Sequence, residues 1–217
     1  MQMNALIAGA TGLVGTELLK MLVDSDGYDK VHVLNRRKIG YGSSKVEEHV
    51  IDFDELAAFE PGQGINHVFC CLGTTIKKAG TKENFRKVDL DYVVDLARKA
   101  KQINAPKFLV ISALGASEKS AIFYNRVKGE MEQAVREIAI PCTFIFRPSL
   151  LMGDRKENRT GEKTAVMVYK VLNPLFIGKL KKYKGIRAEK VARAMIETAK
   201  LNDNEFQILE SDEIQEF

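Results

Sequence analysis

Tyr124 and Lys128 stand four residues apart in Tyr124-Asn-Arg-Val-Lys128, so on a helix they share one face. A lysine ammonium beside a phenol favours the phenolate and lowers the tyrosine pKa from its ordinary value of about 10. Such a tyrosine can give and take a proton at neutral pH. Ser112 lies upstream, at the end of an apolar run, and offers a hydroxyl to a substrate oxygen. The plain alternative for Ser112 is a strand-end serine that satisfies local backbone.

A second group of residues is suited to phosphate. Gly9-Ala10-Thr11-Gly12-Leu13-Val14-Gly15 follows the apolar run Asn4–Ala8 and leads straight into the helical pattern Thr16–Leu22. Glycines at such a strand-to-helix turn let the backbone approach a pyrophosphate, and the helix N-terminus presents unpaired N–H groups and a positive dipole end. Asn35-Arg36-Arg37 ends the second apolar run, where a site for NAD carries a carboxylate for the ribose 2′-hydroxyl. A carboxylate would repel a 2′-phosphate, whereas a guanidinium binds it with paired hydrogen bonds, so Arg36 and Arg37 favour NADP(H). Asp52-Phe53 is placed to flank the adenine, unless Phe53 is simply core. Cys71-Leu72-Gly73-Thr74-Thr75 ends the fourth run; Gly73 admits close backbone approach, and Thr74 and Thr75 supply short donors.

The elements that position these residues alternate along the chain. Strands are expected at Asn4–Ala8, Val31–Leu34, Val46–Ile51, His67–Leu72, Lys107–Ser112 and Cys142–Arg147, with helices near 12–24, 83–101 and 123–139. Pro106 and Pro141 stop the helices that precede the last two strands. This pattern predicts an α/β fold, a doubly wound parallel sheet of the Rossmann type in the order 3-2-1-4-5-6, with room for an extra strand. A single domain over 1–217 is expected, with 154–187 as a small irregular segment facing the substrate.

Bulk properties narrow the function classes. A net charge of +4 without a basic, aromatic-studded stripe argues against nucleic-acid binding. No apolar run is long enough to span a bilayer, so no integral membrane association is expected. Lys179, Lys181, Lys182 and Lys184, following Leu175-Phe176-Ile177, read as a solvated loop beside a core segment rather than a membrane or acidic-partner surface. Three cysteines make no disulfide framework and read as reduced buried thiols. His32, His49 and His67 are scattered, without metal-ligand spacing among themselves or with cysteine, so no metal site is read from them. With the first strand at Asn4 leaving no room for a signal peptide, a cytoplasmic monomer or homodimer is expected.

Taken together, the chain resembles the atypical short-chain dehydrogenases/reductases with Gly-x-x-Gly-x-x-Gly, and within them the Tat-interacting-protein group. The likeness is carried by Phe69-Cys-Cys-Leu-Gly-Thr-Thr75, Val88-Asp-Leu-Asp-Tyr-Val93, Tyr124-Asn-Arg-Val-Lys-Gly-Glu130, Phe146-Arg-Pro148 and the stretch 154–162. The resemblance implies an NADPH-dependent oxidoreductase that reduces a small carbonyl substrate. Tyr124 would donate the proton, Lys128 would hold the ribose and tune Tyr124, and Ser112 would orient the carbonyl. Arg147-Pro148 would border the nicotinamide through backbone contacts. Two departures stand out. Ala113 replaces the second serine of the usual pair, leaving the serine role between Ser112 and Ser117, and Asp89 stands where many relatives carry a catalytic asparagine. The group's regulatory members make an NADPH-binding redox sensor with little turnover the alternative. Sugar epimerisation or dehydration is disfavoured, because only about seventy residues follow the sixth strand.

Overall fold

The computed structural model describes residues 2–62, 64–153, 178–201 and 205–217. Short runs form the strands; the central ones, rich in Val, Ile, Leu and Phe, are covered on both faces, as a parallel sheet requires, while the edge run Val46–Val50 is polar and partly exposed. They are β1 (Met3–Ala8), β2 (Tyr28–Asn35), β3 (Val46–Val50), β4 (Ile65–Cys70), β5 (Lys107–Ile111), β6 (Cys142–Arg147), the two-residue β7 (Leu151–Met152) and β8 (Ile186–Arg187), and β9 (Phe206–Glu210). The main sheet has seven strands in the order β3-β2-β1-β4-β5-β6-β9, every neighbouring pair parallel. The expected order is therefore present, and β9 is the extra strand. β4 begins and ends two residues before its expected bounds, because Cys71 leaves the sheet with only its N–H still donating to Ala8 O, at 2.8 Å.

Helices cover both faces. The described ones are α1 (Leu13–Asp24), α2 (Ile76–Ala79), α3 (Lys82–Arg86), α4 (Tyr92–Gln102), α5 (Phe123–Ile138), α6 (Ala188–Lys200) and α7 (Ser211–Ile214). A π-helical turn, Lys87–Asp91, joins α3 to α4. Strand side chains alternate between faces, so Ala5, Ile7, Phe144 and Phe146 meet Leu18, Leu22, Val191 and Met195 of α1 and α6 on one side. Leu6, Ala8, Val68, Val110 and Ile145 meet Val93, Leu96, Met131 and Val135 of α4 and α5 on the other. Each of the larger of these buried side chains, the Val, Leu, Ile, Phe and Met, contributes about 1.5–3 kcal/mol relative to exposure. The part of the expected substrate-facing segment at 154–177 lies outside the described residues, as do Leu175-Phe176-Ile177. The remainder holds a 3-10 turn, Gly178–Tyr183, and β8, which pairs with β7. Among the described residues no helix is long and apolar enough to cross a membrane.

Sheet order reverses between β1 and β4, the crevice where open α/β sheets hold ligands. The chain leaving β1 turns there in very little space. Gly9 has φ +86°, and a Cβ on it would lie 2.5 Å from the Cys71 carbonyl carbon. A Cβ on Gly15 would overlap the Gly9 carbonyl, whereas one on Gly12 would lie 3.3 Å from Gly9 O. Gly15→Ala is therefore expected to cost about 1–3 kcal/mol through overpacking, lowering Tm by roughly 2–4 °C for each of these for a domain of this size. Gly12→Ala is expected to cost clearly less. Equal Tm values for the two variants by calorimetry would contradict this packing.

Candidate functional site

Gly12 caps α1 without a side-chain acceptor, so the first-turn N–H groups of Leu13, Val14 and Gly15 are presented at the crevice. The turn is held by Gly12 N donating to Gly9 O (3.0 Å), and Thr16 Oγ1 donates to Gly12 O (2.9 Å). Thr11, Asn35, Arg36 and Arg37 line a cleft of about 320 Å³ next to it. Asn35 is buried and its Nδ2 has no hydrogen-bond partner. Arg36 and Arg37 are exposed and pair with no carboxylate among the described residues. A buried amide donor left open and two free guanidiniums fit the ribose and phosphate end of a dinucleotide, beside a helix N-terminus that fits its pyrophosphate. Phe53 is core: it is 4% exposed and its ring packs on Tyr92, with centroids 5.4 Å apart. The Asp52 carboxylate caps the following 3-10 turn through Asp54 N at 3.0 Å.

The loop after β4 is tied to the helix layer through one carboxylate. Asp89, in the π-helical turn, accepts from Thr74 N (2.7 Å) and pairs with Lys128 Nζ (2.8 Å). Both charged side chains are almost fully buried. Burial pulls the Lys128 ammonium down, but Asp89, then Tyr124, outweigh it and hold Lys128 above its ordinary pKa. Gly73 sits against this pair; a Cβ there would lie 3.4 Å from Asp89 Oδ1 and 3.9 Å from Lys128 Nζ. Leu72 packs partly buried on the core, and Thr75 caps α2 by accepting from Lys78 N (3.3 Å). Tyr124 lies one turn before Lys128 on α5, its ring tilted on Phe85 at 5.6 Å.

Ser112 belongs to a different network. Its Oγ donates to Glu132 Oε1 at 2.5 Å, and Arg147 grips Glu132 through Nε (3.0 Å) and Nη2 (2.5 Å) while its Nη1 reaches Glu210 (2.9 Å). These hydrogen bonds, led by those to Glu132, hold Arg147 above its ordinary pKa. A hydroxyl has one proton. With that proton given to Glu132, Ser112 has only acceptor capacity left for any other oxygen. Ser117 is exposed, and its Oγ accepts from Lys119 N at 3.3 Å. Pro148 O accepts from Leu114 N (3.0 Å), so the Arg147-Pro148 backbone locks the loop after β5. Glu132 is the residue that sequence reasoning missed. Its signal was present in the spacing Tyr124, Lys128, Glu132, which continues one face of α5.

Sheet order, glycine turn and the open cleft at Asn35 define an NAD(P)-binding α/β protein of the Rossmann type. The chain belongs to the family described as "Semialdehyde dehydrogenase, NAD binding domain", which matches residues 4–131, and it is a relative of the HTATIP2 and FMP52 proteins. It is 39% identical to rat protein HTATIP2 over 163 residues, covering 73% of this chain and 67% of that one. It is 35% identical to the mitochondrial protein FMP52 of Eremothecium gossypii over 178 residues, covering 82% and 76%. In fold it is similar to the UDP-glucuronic acid 4-epimerase of Bacillus cereus in complex with NAD, with TM-score 0.69, 16% identity, and coverage of 99% and 80%. The cytoplasmic location expected from the sequence is corrected by this comparison. The FMP52 relatives are named mitochondrial, which conflicts with it, and the position of the first strand sets no compartment.

The Asp89–Lys128 pair generates a direct test. Lys128's folded-state pKa is raised, so its stabilisation is complete below the unfolded value of about 10.4 and is lost as pH rises through the folded value. At pH 7, Asp89→Asn leaves a buried ammonium without its counter-charge and is expected to cost about 3–5 kcal/mol in urea unfolding. The Lys128 pKa, followed by NMR of the labelled side chain, is expected to fall below its ordinary value. Unchanged stability and an unchanged Lys128 pKa would contradict the pairing.

Proposed function

We propose that the protein is an NADPH-dependent oxidoreductase of the short-chain dehydrogenase/reductase type that reduces a small carbonyl compound. The observation that carries this reading is a buried lysine one helical turn from Tyr124, held at the loop that borders the dinucleotide crevice. When bound, the dihydronicotinamide supplies the hydride to the carbonyl carbon. Tyr124 donates its phenolic proton to the carbonyl oxygen, so the product is the alcohol. Lys128 keeps its charge through Asp89 and holds the ribose. Gly9, Thr11, Gly12, Leu13, Val14 and Gly15 hold the pyrophosphate on the α1 N-terminus, Asn35 turns its open amide to the ribose, and Arg36 and Arg37 take the 2′-phosphate.

A second reading, an NADPH-binding sensor with little turnover, is favoured by one observation. Ser112 gives its only proton to Glu132 and so does not polarise a carbonyl as it stands. Nicotinamide fluorescence titrations with NADPH and NADH, combined with NADPH oxidation over a panel of aldehydes and ketones, separate the two. NADPH is expected to bind more tightly than NADH. Arg36→Ala is expected to weaken NADPH about 10- to 100-fold, the worth of a charge-assisted contact, and to leave NADH nearly unchanged. Tyr124→Phe is expected to keep binding and lose about 10²–10⁴-fold in turnover. Binding without oxidation of NADPH by any carbonyl would favour the sensor, and no binding of either nucleotide would sink both readings.

A further inference from the structure

Two of the three histidines, dispersed in the sequence, are brought together by strand register. β2 and β3 pair His32 with Glu47 and Leu34 with His49. Partners directly across a parallel ladder face the same side, and so do residues two apart on one strand. His32, Glu47 and His49 therefore project from one face at the β3 edge of the sheet. The third histidine is spent elsewhere, with His67 Nδ1 bonded to the Tyr28 hydroxyl at 2.8 Å.

The three side chains converge tightly. His32 Nδ1 lies 3.0 Å from His49 Nε2 and 3.8 Å from Glu47 Oε2, and His49 Nε2 lies 3.6 Å from Glu47 Oε1. Three ligands at tetrahedral corners around an ion with bonds of about 2.1 Å would be separated by about 3.4 Å. The two nitrogens stand at 3.0 Å, each has a different Glu47 oxygen within 3.8 Å, and one donor atom from each of the three residues lies within 4.8 Å of the other two. The two rings are nearly parallel, at 16°, and Phe59 packs edge-on against His49 at 5.0 Å, fixing its imidazole from the side. His32 is buried, while Glu47 is half exposed and opens the cluster to solvent. Lys30, the neighbouring cation, directs its ammonium to Ser44 O at 3.4 Å.

We propose that His32, Glu47 and His49 form a binding site for one divalent transition ion of the zinc type. Two imidazole nitrogens and one carboxylate oxygen are a ligand set that such ions take with a fourth, solvent-filled position, while magnesium and calcium prefer oxygen alone. The ion replaces the proton shared between the two imidazoles, and each imidazole binds it in its neutral form. Small ring rotations bring both nitrogen lone pairs onto the ion. The site ties edge strand β3 to β2, the strand that ends at Asn35, keeps one position open to solvent, and lies apart from Tyr124 and Lys128.

The test uses the full chain, stripped with a chelator and titrated by calorimetry with Zn²⁺ and, separately, Mg²⁺. One Zn²⁺ per chain is expected, with a rise in Tm and no response to Mg²⁺. X-ray absorption at the zinc edge is expected to show nitrogen and oxygen neighbours without sulfur, which separates this site from the three free cysteines. Glu47→Gln, at an exposed position, and His49→Gln are each expected to weaken Zn²⁺ at least tenfold while leaving the nucleotide titration unchanged. Zinc binding unaltered in folded Glu47→Gln and His49→Gln, sulfur in the coordination shell, or no saturable binding would overturn the proposal.

Discussion

The buried pair of Asp89 and Lys128 is the interaction on which the candidate site depends. Taking two charges out of water costs several kcal/mol for each, and an apolar pair of the same shape would often be as stable. What an apolar pair would not do is hold an ammonium at a defined point. Asp89 is fixed by the Thr74 N–H and by its place in a π-helical turn, a local widening that recurs at functional sites. Through it the loop after β4, the turn before α4 and the middle of α5 are locked to one another. Tyr124 takes its place from the same lock, since it rides one turn ahead of Lys128 on a helix anchored by Val127, Met131 and Val135 in the core.

Along α5 the polar face continues into a second charged group. Glu132 receives the Ser112 hydroxyl and the Nε and Nη2 N–H groups of Arg147, and Arg147 carries the network on to Glu210 at the end of β9 through Nη1. The two groups divide the work between them. Asp89 keeps Lys128 charged at the crevice, and Glu132 spends Arg147 and Ser112 on joining β5, β6 and β9 behind it. The serine's hydroxyl proton is thereby taken by Glu132, and the two functional readings differ on this residue.

Local patterning made much of the architecture legible. The glycine turn, the six strands and three helices follow from apolar periodicity and from glycine and proline punctuation, and the order of the sheet follows from right-handed crossovers. Tyr124, Lys128, Arg36 and Arg37 were legible because each sits at a fixed offset from an element end. β9 was harder, since Phe206–Glu210 is a short run that only partners β6 in the folded chain. Asp89 was noticed only as a departure, because nothing in Val88-Asp-Leu-Asp predicts a π-helical turn. Glu132, Arg147 and Glu210 meet across separations of 15 and 63 residues, and His32 meets His49 across 17. Contacts of that kind are set by register and packing, which single-sequence periodicity does not contain.

The most direct test of the account is hydride transfer itself, followed with NADPH deuterated at the nicotinamide C4 and a panel of aldehydes and ketones. With the wild-type chain, deuterium is predicted to appear on the carbinol carbon of a product alcohol, from one face of the nicotinamide only. With Tyr124→Phe the label should stay on the nucleotide. Tight NADPH binding with no label transferred to any carbonyl would contradict the account.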